Sequence, residues 1–215
     1  MAFETAVALH QLGFVRYHID HDVDAAVAAL QESSSLFATL DHDWGVSLAE
    51  AMLGSVLAAT CDLVGGERRQ LRSLEHARRI DSDQQTAQAL GQLALVRLLQ
   101  QRYDDALDLL AESAPILNRG GYRSDAANAL DALAVVAYDG AAMPAAASPL
   151  AVAAAERARL GVPPWPTLQP FIGRIHRWVR RSLSDDAFAA VDGHTSSRDV
   201  FDTLTDTLES LRPHG

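Results

Sequence analysis

The feature that most constrains the fold is a two-residue pair, Leu-Gly or Leu-Ala, that returns at nearly constant intervals. Its second members are Gly13, Gly54, Ala94 and Ala134, so the intervals are 41, 40 and 40 residues. Apolar residues around each pair recur every three or four positions, which is the spacing of one helix face. An internal period of this length is typical of repeats in which helices stack on their neighbours.

The clearest copy of the repeat, residues 83–113, predicts a helical hairpin. Leu90 and Leu93 lie in a run with helical spacing, and Leu107 and Leu110 continue that spacing after a polar break. Four hairpins are expected, at about residues 3–40, 43–80, 82–119 and 121–160, followed by capping helices over 162–215. Because strand patterns are absent, the sequence predicts an all-α fold of antiparallel hairpins stacked as a right-handed solenoid.

The second hairpin is expected to differ from the others. Gly65 and Gly66 are predicted to stop its first helix, which then runs from Val46 to Leu63 and is longer than its counterpart in the third hairpin. In the other three hairpins a small residue follows the repeated pair twelve positions later: Ala25, Ala106 and Ala146. With Gln70 aligned to that position, the two helices of the second hairpin are expected to be splayed or shifted.

Composition and charge exclude several classes of protein. Of the 215 residues, 48% are hydrophobic and 21% are charged, which is a globular balance. The net charge of -10 repels nucleic acid and anionic lipid, so neither is an expected partner. All 18 basic residues are arginines. The absence of lysine excludes a Schiff-base lysine and a Walker-type phosphate loop.

Cysteine usage and hydropathy favour a cytoplasmic protein. Cys61 is the only cysteine, which excludes an intrachain disulfide and a cysteine-based zinc site. No basic-then-apolar leader opens the sequence, and no apolar run approaches the roughly 18 residues that cross a bilayer. Neither a cofactor nor a membrane association is expected.

The sequence offers weak candidates for catalysis and metal binding. It contains neither a GxSxG nor an HExxH motif, and Cys61 has no marked histidine partner. An enzyme is therefore not expected. The stretch HIDHDVD, residues 18–24, contains five metal-capable side chains, but it falls where the chain should turn, and polar acidic turns are common. Both interpretations of that stretch stay open.

A small residue twelve positions after the Leu-Gly or Leu-Ala pair resembles the tetratricopeptide repeat, in which small residues let two helices approach closely. The interval near 40, rather than roughly 34, resembles the longer repeats in the C-terminal part of bacterial LuxR-type and antibiotic-regulator-type signal-transduction ATPases and transcriptional regulators. Three stretches resemble that group: DHDWGVSLAEAMLGSVL, QRYDDALDLLAES and RRSLSDDAFAAVDGHTSSRDVFDTL. Nothing in these 215 residues resembles the nucleotide-binding and helix-turn-helix domains of those regulators.

The resemblance implies a protein-interaction or sensory scaffold module of a bacterial regulator, without catalysis of its own. Its partner would be a protein, a peptide or attached effector domains, and an open solenoid end also favours a homodimer. The alternative is a small-molecule or peptide pocket on the concave face. A ligand that binds one conformation of such a module more tightly would shift its conformational equilibrium. That change would then pass to an attached or partner effector domain.

Tetratricopeptide geometry predicts which side chains line the concave groove. The set mixes aromatic and hydrogen-bonding residues, which suits a peptide or small ligand. Its members are His10, Phe14, Tyr17, Ser55, Gln88, Leu95, Asn128, Asp131 and Tyr138. The other interpretation assigns Phe14 and Leu95 to the core, and Asn128 and Asp131 to a solvated face.

A basic patch is predicted near the C-terminus. Its arginines share or flank one helix face and could grip phosphate or an acidic surface: Arg174, Arg177, Arg180 and Arg181. They are equally compatible with the solvated side of a capping helix.

Overall fold

The computed structural model describes residues 1–139, 143–165, 168–182 and 198–211. All regular structure in these ranges is helical, which confirms the predicted all-α fold class. The chain divides into two compact units, Met1–Gln100 and Gln101–Gly215. Nowhere in the described ranges is a helix both long and apolar enough to cross a membrane.

Five helices make up the first unit. They are α1 (Ala2–His18), α2 (Val23–Thr39), α3 (Asp43–Ala59), α4 (Leu63–Arg79) and α5 (Asp83–Leu99). The helices described in the second unit are α6 (Tyr103–Gly120), α7 (Arg123–Asp139), α8 (Met143–Leu160), α9 (Gln169–Ser182) and α10 (Val200–Leu211). In the first unit each helix packs against the next one in the chain, and in the second unit the same holds from α6 to α9.

A left-handed residue recurs every 20 positions from residue 21 to residue 121, and another follows at residue 161; each lies in a turn after a helix. These residues have φ between 50° and 69°: His21, Asp41, Cys61, Asp81, Gln101, Gly121 and Gly161. One such residue after a helix lets the chain reverse and satisfies the last carbonyl groups. In the first unit the next residue caps the following helix; for example, the Ser82 side chain accepts from the Gln85 N–H.

The second hairpin is closely packed, so the expectation of splayed helices is wrong. Gly66, and not Gln70, lies twelve residues after Gly54, and a Cβ at Gly66 would lie only 3.1 Å from the Gly54 carbonyl oxygen. Gln70 fits beside Gly54 and donates from Nε2 to the Ala51 carbonyl at 2.9 Å.

The expected long first helix of that hairpin is also wrong. The helix ends at Ala59, where Cys61 takes the left-handed conformation, and α3 has the same 17 residues as α5. Gly65 and Gly66 lie in the first turn of α4 instead of stopping α3. The sequence predicted that this glycine pair would end a helix. In the structure the pair instead lets two helices approach closely.

A buried carboxylate lies at the centre of the α2–α3–α4 packing. Glu50 is fully buried and accepts a hydrogen bond from the Ser34 hydroxyl at 2.5 Å. Arg69 donates to both of its oxygens at 3.2 Å, and Arg72 lies 3.3 Å away. A buried charge with this many partners is compensated, so the cluster holds three helices in register.

The second unit is built around α7. Its residues 126–137 are all buried, and α6, α8, α9 and α10 all contact it. An ion-pair network ties its start to two neighbours, because Arg123 contacts Glu156 of α8 at 2.6 Å and Asp199 before α10 at 2.9 Å. The predicted boundary between hairpins and cap, at residues 161–162, stays a prediction, and the expected short segment over residues 185–193 lies outside the described residues.

Candidate functional site

A cleft of about 540 Å³ lies in the second unit beside α7, α8 and α9. Residues 161–164, which follow the left-handed Gly161, form one of its walls. Most of the lining is apolar, and its lining residues are Asp131, Leu150, Ala154, Arg157, Ala158, Gly161, Val162, Pro163, Pro164, Ile172 and His176. An apolar cleft with few polar groups has the usual composition of a ligand site.

The polar part of the cleft is a buried acid and a buried arginine. Arg157 Nη2 lies 2.6 Å from Asp131 Oδ2 and donates to Asn128 Oδ1 at 2.8 Å. Asp131 is 1% exposed and Arg157 8% exposed. Burial raises the pKa of Asp131 to about 6 and outweighs the Arg157 guanidinium, which pulls that pKa down.

The pairing is close but incomplete. Asp131 Oδ2 and Arg157 Nε are both buried and have no hydrogen-bond partner among the described residues. The short distance between Nη2 and Oδ2 is therefore an ion-pair contact without hydrogen-bond alignment. Unsatisfied buried polar atoms cost free energy, and in a native protein they often mark a functional site.

The helix that presents Arg157 is fixed by the preceding residue. Glu156 accepts hydrogen bonds from Arg123 and from Arg159, which lower its pKa to about 2. Since Arg123 also pairs with Asp199, α7, α8 and the start of α10 are held together next to the cleft. This network leaves Arg157 free of other acidic partners in the part of the chain that the structure describes.

The structure brings two of the predicted groove residues together and places a third nearby. Asn128 and Asp131 meet at Arg157, and Asp131 lines the cleft. Tyr138 is half-buried and packs edge-on against Trp178 of α9, with ring centroids 4.8 Å apart. Tyr138 therefore helps to place α9 and does not line the cleft.

The predicted groove residues of α1 form a separate group in the first unit. Phe14 and Tyr17 pack against the His18 ring, at centroid distances of 4.4 and 4.8 Å. Tyr17 also packs against the core cluster of Leu30, Leu53 and Val56. Partial burial raises the pKa of Tyr17 and lowers the pKa of His10.

The remaining groove predictions are dispersed along α3 and α5. Ser55 donates to the Ala51 carbonyl and lies 3.3 Å from Gln70 Nε2, so it belongs to the α3–α4 packing. Leu95 is buried, and Gln88 is half-buried. The proposed groove as a whole stays a prediction.

The four arginines of the predicted basic patch are exposed on α9. Arg174 stacks over the Phe171 ring at 5.1 Å. The HIDHDVD stretch forms the turn between α1 and α2, where Asp22 caps α2. Throughout the described ranges, no three His, Cys, Asp or Glu side chains lie close enough together to hold a metal ion.

Sequence reasoning missed Arg157, His176 and the wall at residues 161–164. Arg157 lies 26 residues after Asp131 in an alanine-rich helix, and no local pattern links the two. The GVPPWP stretch at residues 161–166 was a usable signal, because prolines after a helix fix an extended wall.

A second candidate surface is the outer stripe of α1, namely Thr5, Ala8, Leu12, Val15 and Ile19. All five are exposed, Leu12 by 42% and Ile19 by 66%. The α3 residues equivalent to the first four are buried, with Phe37 and Leu30 of α2 packed on them: Val46, Ala49, Leu53 and Val56. Thr60, the equivalent of Ile19, is exposed. The outer stripe therefore has the composition of a helix face that another helix covers.

Comparison with known proteins supports a repeat architecture. A family model described as tetratricopeptide repeat matches residues 47–119. No curated protein matches the chain. The chain thus contains a tetratricopeptide-like repeat region, the kind of region that commonly mediates interactions between proteins.

Proposed function

We propose that this chain is a protein-interaction or sensory scaffold module of a bacterial transcriptional or signalling regulator, without catalysis of its own. The tetratricopeptide match supports the interaction role. The regulator context is supported by the resemblance of three stretches to the C-terminal repeats of LuxR-type and antibiotic-regulator-type proteins. In this proposal the chain carries partners or attached effector domains.

The outer stripe of α1 is the observation that carries the proposal. In α3, α5 and α7 the positions equivalent to Thr5, Ala8, Leu12 and Val15 are buried, so this face of the repeat normally packs against another helix. Exposed apolar residues in a continuous helical stripe mark an interaction surface. Leu12, Val15 and Ile19 are too regularly spaced to be scattered surface residues.

We propose a second copy of this chain as the occupant, with the two α1 helices antiparallel. The 3-4-3-4 spacing of the stripe is the spacing of a coiled-coil seam, in which similar helices pack on each other. A two-fold pairing places Ala8 opposite Leu12 of the second copy, and Thr5 opposite Val15, so that small residues face large ones. One helix per copy is a small interface, so association on the order of 10–100 µM is expected.

Light scattering across protein concentration tests this proposal. The wild-type mass should rise from that of a monomer towards that of a dimer as the concentration passes through roughly 10–100 µM. Replacing Leu12 and Val15 by Glu should keep the protein monomeric, because each carboxylate would be buried against Ala8 or Thr5 of the second copy without a compensating charge.

The matched control carries the same two added charges away from the stripe, at the exposed residues Gln31 and Gln84. Gln31→Glu with Gln84→Glu should dimerise like the wild type. A wild-type protein that stays monomeric to millimolar concentration, or a stripe variant that still dimerises, would contradict the proposed occupant.

The cleft of the second unit supports a second candidate function, the binding of a small molecule or short peptide. Its apolar lining beside the buried pair of Asp131 and Arg157 supports this candidate, because an apolar cleft with few polar groups is the usual composition of a ligand site. Retention of a ligand through gentle purification, detected by native mass spectrometry and lost on filling the cleft, tests it.

A further inference from the structure

The exposed side of α9 is strongly basic, although the chain as a whole has a net charge of -10. The helix contains four arginines and no acidic residue. Three of them recur at intervals of three and four residues and are exposed: Arg174, Arg177 and Arg181. Ile175 and Val179, which are buried, lie on the opposite side of the helix. The three arginines therefore form one basic face that is turned towards solvent.

None of the three arginines of the basic face pairs with an acidic side chain in the described part of the chain. Arg174 instead stacks on the Phe171 ring at 5.1 Å. Outside α9, every described arginine except Arg68 has an ion-pair or other interaction partner. Because like charges three or four positions apart on a helix repel each other, the basic face does not stabilise α9 by itself.

The sequence around α9 supplies too few acidic residues to neutralise the basic face. Asp185 and Asp186 are the nearest acidic residues along the chain, and with them residues 169–186 contain four arginines against two aspartates. An excess of positive charge thus stays concentrated on one stretch of an acidic chain. A local field of this sign attracts anionic groups.

We infer that the basic face binds an acidic segment of a partner protein, whose carboxylates pair with Arg177 and Arg181. Arginine suits this role because its planar guanidinium can donate two parallel hydrogen bonds to one carboxylate. The inference rests on the proposed role of the chain in protein interactions. It does not depend on self-association through α1, which belongs to the other unit.

The size of the basic face favours a protein partner over a nucleic acid. The seven positions from Arg174 to Arg181 rise by about 10 Å along the helix, which is about one Debye length at physiological salt. A nucleic-acid chain extends past this length and meets the repulsion of a protein with a net charge of -10. A short acidic segment contacts the basic face alone.

The spacing of the arginines indicates the pattern of the partner segment. Arg177 lies about 4.5 Å along the helix axis from Arg174 and about 6 Å from Arg181. An antiparallel helix with carboxylates at positions i, i+4 and i+7 presents the same intervals. Phe171 and Trp178 flank the basic face and are half-buried, so they offer apolar contact to the side chains beside those carboxylates.

Fluorescence anisotropy with three labelled probes and the full chain tests the inference. The first probe is an alanine-based peptide of about 18 residues with Glu at i, i+4 and i+7 of each repeat, and the second has Gln in place of every Glu. The third is a DNA duplex of about 20 base pairs. The Glu peptide should bind with a Kd on the order of 100 µM at low salt. Its affinity should exceed that of the Gln peptide at least about 10-fold and fall severalfold at high salt, because salt screens exposed charges.

Two double variants that remove the same charge provide the matched comparison. Arg177→Gln with Arg181→Gln should weaken binding of the Glu peptide at least about 10-fold. Arg68→Gln with Arg198→Gln removes two exposed arginines that lie away from α9 and should leave the affinity within about twofold. Arg174 is kept in both variants because it packs on Phe171. All four substituted residues are exposed, so native-like circular dichroism is expected for each variant.

The outcomes separate this inference from the interaction role on which it rests. Equal binding of the Glu and Gln peptides, or equal losses in the two double variants, would overturn the basic face as an acidic docking surface. Tighter binding of the duplex than of the Glu peptide would assign the face to nucleic acid instead. If the Glu peptide fails to bind at about ten times the expected Kd while the wild type dimerises, the inference is wrong and the interaction role stands. If the wild type does not dimerise either, both are wrong.

Discussion

Each of the two units buries a carboxylate against arginine from the following helix, but they do so differently. Glu50 in the first unit has Ser34, Arg69 and Arg72 as partners. Among the described residues, Asp131 in the second unit pairs with Arg157, keeps one oxygen without a hydrogen bond and faces a cleft. Arg69 Nε and Arg157 Nε both lack a hydrogen-bond partner there, so the difference lies in the carboxylate: it serves packing where several groups hold it, and it lies beside a cleft where one arginine holds it.

The apolar helix faces of the two units also differ, and here it is the first unit that leaves a surface available for binding. In the first unit the outer stripe of α1 is exposed, whereas the equivalent stripe of α7 in the second unit is buried, with α6 and α10 against α7. The same type of repeat thus leaves an apolar helix face exposed in the first unit and contributes to a cleft in the second. The predictions below test each side of this contrast.

Alanine substitution of the two carboxylates should give the largest difference. Glu50→Ala should lower the free energy of unfolding by about 3–5 kcal/mol, because it removes the anion that holds two arginines and a hydroxyl. Asp131→Ala should cost only about 1 kcal/mol, because Arg157 keeps Asn128 and gains access to cleft water. Urea denaturation measures both, with exposed Glu32→Ala as the control near zero. Equal losses would break the comparison.

The pH dependence of stability should expose the unfavourable burial of Asp131. Its pKa is about 6 in the folded protein, against an ordinary value of 3.8 in the unfolded chain, so the native state holds a proton that the unfolded state releases between these values. Stability should therefore fall as pH rises from about 4 to 6. Asp131→Asn removes this dependence and should be about 3 kcal/mol more stable than the wild type at pH 7, with no difference below pH 4.

Denaturation curves of both proteins at pH 4, 5, 6 and 7 measure this effect. Glu156 is an internal reference of opposite sign: its pKa is lowered to about 2, so its contribution is present above about pH 4.5 and lost as pH falls towards 2. A constant gap between wild type and Asp131→Asn across the range would show that burial does not perturb Asp131.

Substitutions at the left-handed turn residues should have the smallest effect on the free energy of unfolding. The change should be of opposite sign at Cys61 in the first unit and Gly121 in the second. Cys61 holds φ of 69° without being glycine, so Cys61→Gly should raise stability by roughly 0.5–1 kcal/mol. Gly121 has φ of 66° and open space around it, so Gly121→Ala should lower stability by about 1 kcal/mol through backbone strain alone. Thermal unfolding measures both. A destabilising Cys61→Gly would contradict the account of the turns.

The helical repeat could be predicted from sequence because its signal is local. Leu93 and Ala94 mark a close-packed helix face directly, and the same pair recurs in each copy. The 20-residue rhythm of the turns was hidden, because the left-handed positions hold His21, Asp41 and Cys61 as well as glycines. Asp and His tolerate this conformation, and composition alone does not reveal it.

The candidate site could be predicted only in part. Asn128 and Asp131 followed from helix periodicity, since both lie on one helix. Their partner Arg157 comes from the next helix, and its pairing depends on packing between α7 and α8. Tyr17, another predicted groove residue, lies in the first unit, in the α1 group.

The most direct test of the proposed role is a distance between two copies. A spin label at Gln11→Cys, in a Cys61→Ser background, sits beside the centre of the outer stripe. Pulsed dipolar spectroscopy at roughly 200 µM protein should find the two labels within about 20 Å, the separation of labels on paired helices. The same label at exposed Gln84 should show no such distance. If the Gln11 labels show no coupling at a concentration where light scattering finds a dimer, the outer stripe of α1 is not the docking surface.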